Sequence, residues 1–147
     1  MIDAGLPTRI FYLSMGGFDT HAAQETLQNL LLIYMSDALR GFMEDLERIG
    51  RADDVVMMIF TEFGRRVNDN ASGGTDHGTA TPMYIIGNHV KGGLYGEHPS
   101  LTDLDDGNLR MTRDFRSVYA TMMKGWMGFE DTNTILKGEY PAIGVFA

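Results

Sequence analysis

The sequence predicts an α/β domain spanning residues 1–147: a mostly parallel sheet with flanking helices. Three observations predict it. A short apolar run, a long amphipathic helix and a second apolar run follow one another, the order of a βαβ unit with its right-handed crossover. The second run, Val55-Val56-Met57-Met58-Ile59-Phe60, is apolar at every position, as in a parallel strand covered on both faces. Polar segments follow both runs, where open α/β sheets place their ligands.

The first run is Arg9-Ile10-Phe11-Tyr12-Leu13-Ser14-Met15, read as a buried strand that Gly16-Gly17 ends. Phe18-Asp19-Thr20-His21 then forms a loop at its carboxyl end. From about Ala22 to Ile49, Leu27, Leu30, Leu31, Tyr34, Met35, Ala38, Leu39, Phe42, Leu46 and Ile49 recur at spacings of three and four, a helical stripe. Gly50 is placed to stop this helix, and Gly41 to weaken it locally. A Gly-rich loop runs from Asn68 to Gly78, and Pro82–Gly87 reads as a third strand. Val90–Gly96 reads as a hairpin or tight turn and Leu101–Leu109 as an acidic loop. Arg113–Met127 reads as a second helix, with Asp114 suited to its first turn. Ile135–Ala147 carries Gly138, Pro141 and Gly144, and no element is assigned there.

Composition narrows the function classes. A net charge of −8, with Arg65-Arg66 as the sole basic pair of note, opposes binding to a nucleic-acid backbone. Cysteine is absent, which excludes disulfides, thiolate metal sites and cysteine nucleophiles. No apolar run reaches the roughly 18 residues that span a bilayer, and residues 1–7 lack the basic and apolar regions of a signal peptide. The abrupt start close to a strand suggests a fragment of a longer domain. Such a half-sheet would expose a strand edge, for which a homo-oligomer is the expected cover.

Metal-competent side chains gather in three segments: Asp19 and His21, Glu62, and Asp76-His77. Carboxylate oxygen with imidazole nitrogen suits Zn²⁺, Mn²⁺ or Fe²⁺, and Arg65 or Arg66 can hold an anion bidentately. Each feature has a plainer alternative. Asp19 or Thr20 can cap the following helix, Asp76-His77 can be a turn, and Glu62 can pair with Arg65 or Arg66. His89 and His98 read as surface residues, and Met57-Met58 and Met122-Met123 as core filler. Ser14 and Ser72 lack a nucleophile elbow, so a Ser-His-Asp hydrolase has little support.

Taken in order, Gly16-Gly17-Phe18-Asp19-Thr20-His21, Thr61-Glu62-Phe63-Gly64-Arg65 and Gly74-Thr75-Asp76-His77-Gly78 resemble the DUF1501 family, within the alkaline phosphatase/sulfatase-like superfamily. The resemblance runs from about Arg9 to Gly128 and covers the C-terminal part of such a domain. It implies a metal-dependent hydrolase of phosphate or sulfate esters, using Zn or Mn and taking a small anionic ester. Asp19, His21 and His77 look like ligands of the first metal, Glu62 a supporting ligand, Asp76 a neighbour of the ligand shell, and Arg65 the substrate's anion partner. The spacing of Asp19 and His21 is narrower than usual. Phe63 stands where the second metal takes a His, and the nucleophilic Ser or Thr belongs to a part absent from this chain. The alternative is therefore a degenerate, non-catalytic domain that binds an anion, a glycan or a protein; a mutase-like phosphotransferase is a weaker third reading. The family also implies an exported, periplasmic full-length protein.

Overall fold

A computed structural model describes residues 1–146; Ala147, in the tail left without an assigned element, lies outside the described residues. The chain divides into two compact units: Met1–Val55 with Asn68–Asp76, and Val56–Val67 with the chain from His77 onward.

In the first unit, helix α1 (Gln24–Arg48) confirms the helix read from the apolar stripe. Its half-buried and buried positions are Gln24, Gln28, Leu31, Met35, Leu39, Met43, Leu46 and Ile49, spaced by three and four as a helix face requires. Gly41 does not interrupt it. Its end is a Schellman motif: the Gly50 amide donates to the Glu47 carbonyl and the Arg51 amide to that of Leu46. Gly50 takes φ +67°, the left-handed conformation that glycine adopts without a Cβ penalty. Leu46 and Ala52, the latter in the 3₁₀ turn Ala52–Asp54, are buried here.

The expected parallel sheet is overturned. Among the described residues the strands form three two-stranded sheets: β1 (Met57–Ile59) with β4 (Tyr84–Ile86), β2 (Gly64–Asp69) with β3 (Thr75–Gly78), and β5 (Leu104–Asp105) with β6 (Asn108–Leu109). β1 and β4 run antiparallel, with Met58 opposite Ile85. The chain between them is occupied by the β2–β3 hairpin rather than by a helix, so it lacks the crossover that a parallel pair needs. The loop read over Asn68–Gly78 is thus largely strand. Arg9–Met15, read as a buried strand, joins no ladder among the described residues, and Leu13 is 86% exposed. Without that strand no βαβ unit exists around α1, whatever the apolar character of the segment.

In the second unit, Asp114 caps α2 (Phe115–Thr121), accepting from the Arg116 amide at 2.9 Å. The helix continues as a π-helical turn, Met122–Trp126, in which the Met127 amide donates to the Met122 carbonyl five residues back. Gly125 lies against the ring of Phe146, where a Cβ would overlap. Helix α3 (Thr132–Leu136), capped by Asp131, reaches into the tail left without an assigned element, and Val90, at the start of the segment read as a hairpin or tight turn, forms a bridge with Phe146. Ala120, Val145, Ser117, Thr121 and Thr132 are buried in this unit. Thr121 works in both directions: its hydroxyl donates to the Ser117 carbonyl at 2.6 Å and accepts from the Ile143 amide at 2.7 Å.

Candidate metal centre

In the first unit, His21 is set between two carboxylates. Its Nε2 lies 2.9 Å from Asp19 Oδ1, and its Nδ1 lies 3.7 Å from Asp76 Oδ1. The β2–β3 turn builds this arrangement. Asn70 accepts from the amides of Ser72 and Gly74 through its side-chain oxygen, the local bonding that makes Asn a turn residue. Its side-chain NH₂ donates to the His21 carbonyl at 3.0 Å and to Asp76 Oδ1 at 3.3 Å. One asparagine therefore ties the histidine's backbone to the carboxylate facing its ring.

The start of α1 is held by the same turn. The amides of Ala23 and Gln24 donate to the carbonyls of Ser72 and Gly73, each at 3.0 Å. These loop carbonyls take the amide of the cap residue and that of the first helical residue, one of the four donors without a partner inside the helix. The cap residue is Ala23 rather than Asp19 or Thr20, and it makes no side-chain cap hydrogen bond. Ala23 sits at φ +45°, a conformation that costs an alanine on the order of 1–3 kcal/mol and persists where its surroundings impose it. Thr20 is buried instead, with its hydroxyl on Gln28 Oε1 at 3.2 Å, and Thr75 donates to Gln24 Oε1 at 2.8 Å. Gly74 is buried with His21 directly against it; a Cβ there would stand 2.6 Å from the His21 carbonyl carbon and oxygen.

Stability does not explain such an arrangement. The side chains of Asp19, His21 and Asp76 are 67%, 49% and 61% exposed, and ion pairs that open to water contribute about 0–1 kcal/mol. A carboxylate beside an imidazole also has the chemistry to hold a cation. A 2.9 Å separation is a hydrogen-bond length; donors each about 2.1 Å from one ion stand roughly 3.0 Å apart at an octahedral centre and roughly 3.4 Å apart at a tetrahedral one. Asp76 Oδ1, 3.7 Å from the far ring nitrogen, lies beyond hydrogen-bond distance and acts on the ring through its charge. Asp19 and His21, one carboxylate and one imidazole, are exposed metal-competent donors of the first unit; His77, exposed likewise, belongs to the second.

The remaining predicted residues lie in the second unit or at its start. His77 follows Asp76 on β3 and stacks on Phe63, ring centroids 3.8 Å apart and planes 11° from parallel. Arg65, on β2, places its guanidinium carbon 5.2 Å from the centre of the same Phe63 ring. Glu62 is exposed and accepts from the Thr61 hydroxyl at 3.4 Å. His98 bonds the Pro99 carbonyl through Nδ1, and His89 lies 5.8 Å from the Trp126 ring. Sequence reasoning missed Asn70 and the aromatic role of Phe63. An Asn followed by a small residue, a Ser and two glycines is a readable turn signal, but its reach back to His21 spans 49 positions and leaves no local trace.

No helix among the described residues is long and apolar enough to cross a membrane. Neither a curated protein nor a solved structure matches the chain. One family does, over residues 3–135, by a match that takes in α1, all three strand pairs, α2 and every residue of the candidate centre. The chain is a member of the DUF1501 family, described as a protein of unknown function.

Proposed function

We propose that this chain provides a divalent-metal site, with Asp19, His21 and His77 as ligands, that serves the hydrolysis of phosphate or sulfate esters. The observation that carries the reading is the His21 imidazole held between Asp19 and Asp76. Asp19 and His21 would hold the ion, and Asp76, its Oδ1 3.7 Å from His21 Nδ1, would add negative charge beside the imidazole. His77 enters from the next position on β3. A bound Zn²⁺ or Mn²⁺ supplies Lewis acidity toward an ester oxygen or an activated water. Arg65 steadies the substrate's anionic oxygens, and Glu62 supports the ion or a second one. The resemblance of the ordered motifs to the alkaline phosphatase/sulfatase-like superfamily motivates the ester class.

A second reading, a non-catalytic domain that binds an anion, a glycan or a protein, is favoured by Phe63, which offers no donor where that superfamily places a histidine.

The test is metal content by mass spectrometry on protein purified without chelators or a metal column, comparing wild type with His21→Ala and His77→Ala. About one ion per chain, lost in both variants, is expected. No ion after addition of Zn²⁺ or Mn²⁺ would sink the metal reading. Metal binding without turnover of aryl phosphate or aryl sulfate esters would leave the non-catalytic reading standing.

A further inference from the structure

We infer that Phe63 is a positioning residue for His77, a ring platform that favours the imidazole in its metal-bound form. The inference rests on the proposal that His77 is a ligand. Two electron-rich rings prefer offset or edge-on packing with centroids about 4.5–7 Å apart, because their negative faces repel. Phe63 and His77 lie face to face at 3.8 Å and 11°. That arrangement becomes favourable when one ring is electron-poor, and coordination to a cation draws density out of an imidazole. The face of Phe63 then acts on His77 as an aromatic face acts on a cation. Arg65, whose guanidinium carbon is 5.2 Å from the Phe63 centroid, already uses the ring in this manner.

The backbone is built to hold the stack. Each of the two ring residues is followed by a glycine, Phe63 by Gly64 and His77 by Gly78. A Cβ on Gly64 would overlap the Ala80 carbonyl, and one on Gly78 would lie 2.5 Å from the Arg65 carbonyl carbon. Both glycines thus permit a close backbone approach beside the rings. Phe63 has no donor atom, but on this geometry it keeps a role at the centre: it holds the plane of a ligand rather than binding the ion itself.

The experiment is calorimetric titration of the full chain with Zn²⁺ and with Mn²⁺. The variants are Phe63→Tyr, Phe63→Leu, and a chain carrying pentafluorophenylalanine at position 63. The fluorinated ring keeps the shape of Phe and so controls for any loss of folding in Phe63→Leu, but its face is electron-poor. Expected are near wild-type affinity for Phe63→Tyr and a loss of about tenfold for Phe63→Leu and for the fluorinated ring, the lower end of what supporting residues around a metal contribute. In a His77→Ala background these changes at position 63 should alter affinity no further. Wild-type affinity in both the leucine and the fluorinated chains, with binding still dependent on His77, would overturn the platform role and leave the metal centre intact. A wild-type chain that binds neither ion would overturn both.

Discussion

Gly74→Ala is the sharpest perturbation of the centre, because it adds one methyl group against His21. Gly74 needs no unusual backbone, so the obstacle is space alone. The new Cβ would stand 2.6 Å from the carbonyl carbon and oxygen of His21 and 2.9 Å from the Ala22 nitrogen. Ordinary carbon contacts begin at about 3.5 Å, so the two backbones must part by about 0.9 Å. Backbone cannot swing aside as a side chain can, and overpacking of this kind costs about 1–3 kcal/mol. A ligand constellation tolerates about 0.5 Å of misplacement, so the shift also exceeds what the centre absorbs. We expect a lowered unfolding midpoint together with a loss of Zn²⁺ and Mn²⁺ affinity of about tenfold or more. The neighbouring Gly73 is the control. It sits at φ +70° with only the Ala23 nitrogen, 3.9 Å away, near a new Cβ. Gly73→Ala should therefore cost about 1–3 kcal/mol of backbone strain while leaving metal affinity unchanged. Thermal unfolding and calorimetric titration of the two variants separate the effects, and the His21 amide and ring resonances report displacement directly. A Gly74→Ala chain with wild-type affinity and unmoved His21 resonances would refute the reasoning.

Two further outcomes follow from the same geometry. Ala23→Gly removes the left-handed alanine penalty of about 1–2 kcal/mol at the start of α1, less the roughly 0.5–1 kcal/mol of added freedom in the unfolded chain, so chemical denaturation should show a small gain in stability rather than the loss usual for a glycine near a helix. A measurable destabilisation would mean that the Ala23 conformation is not imposed by the bonds to Ser72 and Gly73. The Arg116 guanidinium, hydrogen-bonded to Asp114 at 2.9 and 2.7 Å, holds the Asp114 carboxyl below the usual carboxylate range. A depressed carboxyl stabilises the fold fully above its unfolded value of about 4, and that contribution is lost as pH falls through the lower folded value. Asp114→Asn keeps an oxygen for the Arg116 amide and removes the charge, so its unfolding midpoint should fall less between pH 5 and the acid limit, and parallel pH profiles for the two proteins would refute the assignment.

The sequence by itself determined the local features whose signals are short in range. The spacing of Leu31, Met35, Leu39, Leu46 and Ile49 places α1, Gly50 ends it, and Asp114 starts α2, each because the deciding hydrogen bonds or faces lie within a few residues. Asp19, His21, Asp76 and His77 were legible as metal-competent donors because their chemistry is intrinsic to the side chains. Strand direction was not legible. Apolar runs such as Val55–Phe60 carry a preference for burial but no information on which partner they meet or which way it runs, and the β2–β3 hairpin between β1 and β4 decided for the antiparallel pair. The same runs do not guarantee burial, as Arg9–Met15 shows by joining no ladder. Nor could sequence reveal that Asn70 ties His21 to Asp76, or that Phe63 lies face to face with His77. Those contacts cross 49 and 14 positions, and only the tertiary fold sets the distances over which hydrogen bonds and ring faces act.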